Sequence, residues 1–175
     1  MKKYRFPSLL LAVLVMVQLL SLPAFALEEP QLSCSNAILV DANYDEVLYE
    51  KGGYDKVYPA SITKVMTALL TLEAIDRGEI SAQTQVTASQ SAVTVPEGSS
   101  TADIQAGETL TVEQLLYCLL LPSANEAAQI LAETVGGDIP TFVEMMNQRA
   151  QELGCQNTHF ANPTASMIRI TTPPL

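Results

Sequence analysis

The chain is poor in the side chains that hold metals. Histidine occurs once in 175 residues, as His159, and cysteine three times, as Cys34, Cys118 and Cys155. None stands at metal-ligand spacing, and a lone histidine is more often structural than a ligand. Zinc chemistry and a Ser-His-Asp arrangement therefore have little to stand on, and no metal or organic cofactor is expected. Basic residues are scarce too: nine Lys and Arg stand against nineteen Asp and Glu, a net charge of −10. Phosphate backbones demand Lys and Arg, so nucleic acid is excluded as a partner, as is tight electrostatic binding to anionic lipid.

What basic charge there is sits partly at the start. Lys2, Lys3 and Arg5 precede the apolar run Leu9 to Leu22, and Ala24-Phe25-Ala26 follows as a small-x-small site. That is the anatomy of a secretory signal peptide over residues 1–26. The competing reading, a membrane anchor, needs roughly 20 apolar residues, more than the run supplies. No membrane span is expected in the mature chain, which would carry six basic and nineteen acidic residues, a net of −13. Three cysteines are an odd number for an exported protein. Cys118 lies in the apolar stretch Leu115 to Leu120 and is expected to pack, while Gln31-Leu32-Ser33 before Cys34 is a poor lipid-attachment sequence.

Residues 27–35 read as a loose leader. Asn36 to Val40 and Glu46 to Glu50, separated by the turn formers Asp41 to Asp45, predict a β-hairpin. Val65, Ala68, Leu69, Leu72 and Ile75 recur at helical spacing within Ser61 to Arg77, and Gly78 ends that helix. Ile80 to Gly107 reads as short, irregular elements. A helix over Thr111 to Leu121 opens on Thr111 with Gln114 completing a capping box, Pro122-Ser123 interrupts it, and helices over about Asn125 to Val135 and Ile139 to Leu153 follow. Helices outnumber strands, and a lone hairpin is marginal, so the expectation is a mixed α/β (α+β) domain whose sheet is incomplete.

Two local patterns carry chemistry. In Ser61-Ile62-Thr63-Lys64, positions i and i+3 share a helix face, so a hydroxyl and an amine can meet. Serine becomes a useful nucleophile when a base accepts its proton, and a lysine does so when burial lowers its pKa. Alone, Ser-x-x-Lys is common, and an N-cap beside a surface lysine is then the better explanation. In Ser123-Ala124-Asn125 a hydroxyl and an amide sit two residues apart on a tight connection, where the plain alternative is an N-cap.

Together, Pro59-Ala60-Ser61-Ile62-Thr63-Lys64-Val65-Met66-Thr67 and Leu119-Leu120-Leu121-Pro122-Ser123-Ala124-Asn125-Glu126-Ala127-Ala128 resemble the motifs of penicillin-recognising serine enzymes. With Asn36 to Ala42, Val47 to Lys51 and His159 to Thr164, the resemblance is to the D-alanyl-D-alanine carboxypeptidases over residues 36–164. It implies a partial β-lactamase/transpeptidase-like domain in an extracytoplasmic protein of the cell envelope. It implies Ser61 as the acylated nucleophile, Lys64 as its base, Ser123 as a proton relay to the departing D-alanine and Asn125 as a substrate-binding residue, with Ser61, Lys64 and Ser123 converging in space. The substrate implied is a peptidoglycan stem peptide ending in D-Ala-D-Ala, and β-lactams would trap the same serine. Serine β-lactamase or a related transpeptidase is the enzymatic alternative, although Ser-Ala-Asn stands where class A β-lactamases carry Ser-Asp-Asn. A non-catalytic binder of peptidoglycan peptides is the other alternative.

The chain departs from the family in two places. No Lys-Thr-Gly occurs in its 175 residues; in the family that motif lies on a later strand that completes the sheet and binds the substrate carboxylate, so this chain by itself is expected to be inactive. The tail 165–175 also diverges. Loss of one nucleotide after the Thr164 codon would explain it, since restoring a base yields a continuation like the family's own; a fragment boundary or an unrelated tail are the alternatives.

Overall fold

In a computed structural model, residues 29–164 are described. The expected signal peptide and the divergent tail lie outside the described residues. The chain divides at Lys56/Val57 into two compact units.

The first unit holds the hairpin. β1 (Ala37–Asp41) pairs antiparallel with β2 (Glu46–Lys51), with a register shift between Leu39 and Val40. The turn is ordered locally, the Asn43 amide donating to the Asp41 carboxylate at 2.8 Å. Past β2 the chain turns at Gly52, whose φ is +57° and where a Cβ would meet Asn36 Nδ2 at 2.7 Å. The same Asn36 amide donates to the Gly52 carbonyl at 2.7 Å. β1 has consecutive apolar residues, the pattern of a strand covered on both faces, yet Ile38, Leu39 and Val40 are all exposed.

The second unit is helical. A 3₁₀ turn (Ala60–Thr63) runs into α1 (Lys64–Asp76); α2 (Val112–Leu120), α3 (Asn125–Gly136) and α4 (Ile139–Glu152) follow. The capping box is present: Thr111 Oγ1 accepts from the Gln114 amide at 3.2 Å, and the Gln114 side chain accepts from the Thr111 amide at 2.9 Å. Asp138 caps α4 by accepting from the Thr141 amide at 2.7 Å. The irregular stretch holds one ribbon missed by the pattern, β3 (Gln85–Thr87) paired antiparallel with β4 (Thr109–Thr111). Three residues per strand are too few for a period-2 signal.

α3 is the centre of this unit and packs on α1, α2 and α4. Ala124, Ala127, Ala128 and Ala132 are fully buried, small side chains that let neighbouring helices come close. Leu115, Leu119, Ile130 and Leu131 fill one cluster, and Leu70, Phe142 and Met146 with Ala132 a second. Cys118 is half-buried against the first cluster, so the expectation that it packs is met. Gly136 lets α4 approach, since a Cβ there would meet the Phe142 backbone at 2.8 Å.

α1 differs from its sequence reading. The periodic residues Val65 and Leu72 are exposed, and the buried residues are Lys64, Thr67, Ala68, Leu70, Thr71 and Ala74, half of them polar. Polar residues can be buried where their groups are paired. The Thr71 hydroxyl donates to the Thr67 carbonyl at 2.8 Å, and the Thr67 hydroxyl donates to the Pro163 carbonyl at 2.9 Å. The second bond ties the segment after α4 back to α1. Asn147 holds the same segment, donating to the Phe160 carbonyl at 2.9 Å and accepting from its amide at 2.8 Å.

Candidate active site

All four residues singled out in the sequence lie in the helical unit. Ser61 is on the 3₁₀ turn rather than in the α-helix proper, and it is exposed. The residue before it, Ala60, has a φ of +49°. A left-handed conformation at a residue with a Cβ costs roughly 1–3 kcal/mol and marks a place where the surroundings dictate the backbone. Here it turns the chain after Pro59 so that Ser61 stands at the surface one turn before Lys64.

Lys64 opens α1 and is only 2% exposed. Its Nζ donates to the Ser123 hydroxyl at 2.9 Å and to the Ser123 carbonyl at 2.5 Å. Burial pushes the ammonium pKa down from the ordinary lysine value, and the negative charge of Glu126 opposes that shift. The outcome is an amine that gives up its proton more readily than a surface lysine, in direct contact with Ser123.

Ser123 is reached through the break between α2 and α3. The Ala124 amide donates to the Cys118 carbonyl at 2.9 Å, closing the loop on the end of α2. Ser123 itself has a φ of +61°. In that conformation Ser123 presents both its hydroxyl and its carbonyl to Lys64. Asn125, the first residue of α3, is buried, and its amide donates to the Ser100 carbonyl at 2.9 Å.

The structure thus brings Lys64 and Ser123 into direct contact, with Asn125 two residues on and Ser61 one turn before Lys64 along the chain. Glu126 was passed over in the sequence, although a signal existed: it is a carboxylate among alanines in Ala124 to Ala128. It is 1% exposed and interacts electrostatically with Lys64. His159 is exposed and takes no part in this arrangement. Among the described residues, no group of three or more His, Cys, Asp or Glu could hold a metal ion.

The chain is similar in sequence and in fold to known proteins. The sequence profile of the peptidase S11 family, D-alanyl-D-alanine carboxypeptidase, matches residues 24–166. D-alanyl-D-alanine carboxypeptidase DacF of Bacillus subtilis is 39% identical over 129 residues, which is 74% of this chain and 33% of its own length. Penicillin binding protein 5 of Haemophilus influenzae superposes with a TM-score of 0.77 at 31% identity, over 81% of this chain and 41% of that one. Penicillin-binding protein D2 of Listeria monocytogenes, in an ampicillin-bound form, superposes with a TM-score of 0.70 at 28% identity, over 83% of this chain and 57% of that one. The chain spans about a third of the length of the curated relatives it matches. With a profile match over most of its length and a fold in common with penicillin-binding proteins, the chain belongs to the D-alanyl-D-alanine carboxypeptidase family of serine peptidases, S11.

Proposed function

We propose that Ser61, Lys64, Ser123 and Asn125 form the nucleophile side of a serine DD-carboxypeptidase site. The observation that carries this reading is the buried Lys64 ammonium nitrogen 2.9 Å from the Ser123 hydroxyl. A lysine with a lowered pKa is an amine poised as a general base, and Ser-x-x-Lys places it one turn from Ser61.

In the reaction proposed, the Ser61 oxygen attacks the carbonyl carbon between the last two D-alanines of a peptidoglycan stem peptide. Lys64 accepts the hydroxyl proton. The tetrahedral adduct collapses as the C–N bond breaks, and Ser123 gives its hydroxyl proton to the departing amine while taking the proton held by Lys64, so that D-alanine leaves neutral at nitrogen and Lys64 is again a free base. Water then attacks the Ser61 ester, releasing the shortened peptide and regenerating the serine. Asn125 holds the substrate backbone. A β-lactam enters the same first step, with the lactam C–N bond as the one that opens; the ampicillin-bound relative supports that expectation. The sequence of residues 1–26 supports export to the cell envelope, where such a substrate is found. No helix among the described residues is long and apolar enough to cross a membrane.

The test is covalent labelling of the intact gene product with a fluorescent penicillin, followed by mapping of the labelled peptide. Label on Ser61, lost in Ser61→Ala and slowed by about a hundredfold or more in Lys64→Ala, supports the reading. Ser123→Ala lowers kcat more than it raises KM, because a proton relay acts in the transition state. Label retained in Ser61→Ala assigns the nucleophile elsewhere, and no label at all leaves a peptide-binding module.

A further inference from the structure

Glu126 has more hydrogen-bond work, and less, than a buried carboxylate should. Its Oε1 accepts from the Thr101 hydroxyl at 2.5 Å, from the Ala102 amide at 2.6 Å and, more weakly, from the Ile104 amide at 3.5 Å. Its Oε2 is buried and has no hydrogen-bond partner among the described residues. The Thr101 hydroxyl also accepts from the Asp103 amide at 2.8 Å, where the backbone is left-handed with φ +58°. One residue earlier, Ser100 receives the Asn125 amide. Residues 100–104 are therefore fastened to the start of α3 by neighbouring residues, Asn125 through its backbone and Glu126 through its side chain.

A neutral glutamine could accept the same bonds at one oxygen without placing a charge in the interior. Burying a carboxylate is costly unless it is paired, and one oxygen here is not. The clamp alone does not account for a charged residue. A positive group is held three residues before Glu126, where the Lys64 ammonium donates to the Ser123 hydroxyl and carbonyl, and the Glu126 charge favours the protonated form of that lysine.

We infer that Glu126 is a positioning residue of this site: its carboxylate clamps residues 101–104 to the start of α3, beside Ser123 and Asn125 in the chain, and its negative charge acts on Lys64. The inference rests on the proposed role of Lys64 as the base. Glu126 does not touch the reacting atoms; it holds the wall beside them and limits how far burial weakens the base. Burial alone drives the lysine toward an amine that is neutral but a poor proton acceptor, and the carboxylate holds it back from that extreme. The titratable groups around Glu126 are Lys64 on α1, Cys118 on α2, whose thiol pKa is raised by burial and then by Glu126 and Glu108, and the exposed Asp103 on the clamped segment.

The experiment follows two signals in the full chain: the titration of the Lys64 ε-carbon by NMR, and amide exchange at Ala102. Glu126→Gln keeps an acceptor and removes the charge. It is expected to move the Lys64 midpoint to lower pH while Ala102 exchange changes less than about tenfold. Glu126→Ala removes both and is expected to lower the midpoint and speed Ala102 exchange about tenfold or more. Glu126→Asp keeps the charge and is expected to bring the midpoint back toward that of the parent protein. Where a fluorescent penicillin labels Ser61, the acidic limb of the labelling rate moves to lower pH in Glu126→Gln. A purely structural role would lower the rate without moving the limb. An unchanged Lys64 midpoint in Glu126→Gln, or unchanged Ala102 exchange in Glu126→Ala, overturns the inference, and if the alanine variant does not fold the Gln and Asp pair decides it. Absence of label in the parent protein counts against the carboxypeptidase reading alone, since the Lys64 midpoint and Ala102 exchange still decide the role of Glu126.

Discussion

In the helical unit Leu115, Leu131, Phe142 and Met146 are all 0% exposed, while in the hairpin unit Ile38, Leu39 and Leu48 are 61, 56 and 57% exposed. The two regions are similarly apolar in sequence but differ in what covers them. α3 has helices around it and buries its alanines and leucines against them. Among the described residues the hairpin's sheet has two strands, and a pair of strands by itself buries little on either face. Apolar residues hold a region together only where the topology supplies a facing surface. The candidate site sits wholly among the packed helices, which is why a lysine can be buried there at all.

The largest expected effect tests this contrast directly. Leu131→Ala, at a fully buried position, should cost about 2–5 kcal/mol in denaturant unfolding followed by circular dichroism. Leu48→Ala, at an exposed one, should stay within about 0.5 kcal/mol. Equal losses would break the comparison and show that the hairpin is covered in solution.

A smaller effect is expected where α4 approaches α3. Gly136→Ala puts a methyl 2.8 Å from the Phe142 backbone, and the helices must separate to admit it. A loss of about 1–3 kcal/mol is expected in the same measurement. No loss would mean that the contact is looser than the distances show.

The buried lysine adds a pH signature to the helical unit. Because the folded pKa of Lys64 is below its ordinary value, the folded protein releases this proton first as pH rises. The unfolded chain then binds more protons, so stability increases with pH between the folded and the unfolded pKa, by at most about 1.4 kcal/mol per pH unit. Below the folded pKa the full penalty of burying the charge is present. Unfolding curves of the parent protein and of Lys64→Met over alkaline pH should diverge in slope, and parallel curves would place Lys64 in contact with water.

The smallest expected effect concerns a local device. Thr111→Ala removes a side-chain cap at the start of α2 and should cost about 1 kcal/mol. Thr87→Ala loses only the exposed bond to the Thr109 hydroxyl and should cost less. A reversed order would show that the β3–β4 ribbon, rather than the cap, holds α2 in place.

Sequence alone settled what depends on neighbours in the chain. The hairpin, the capping box at Thr111 and Gln114, the stops at Gly78, Gly137 and Gly154 and the motifs at Ser61 and Ser123 were legible because caps, turns and i to i+3 spacings act over a few residues. Tertiary structure decided the rest. Which face of α1 is buried could not be read from hydrophobic periodicity, because half of its buried residues are polar and the partners of two of these, Ser123 and Pro163, are far along the chain. The lowered pKa of Lys64 and the role of Glu126 have the same origin. Burial, and the charge that opposes it, arise only when α1, the Ser123 turn and residues 100–104 are brought together, and no local pattern encodes a desolvation energy.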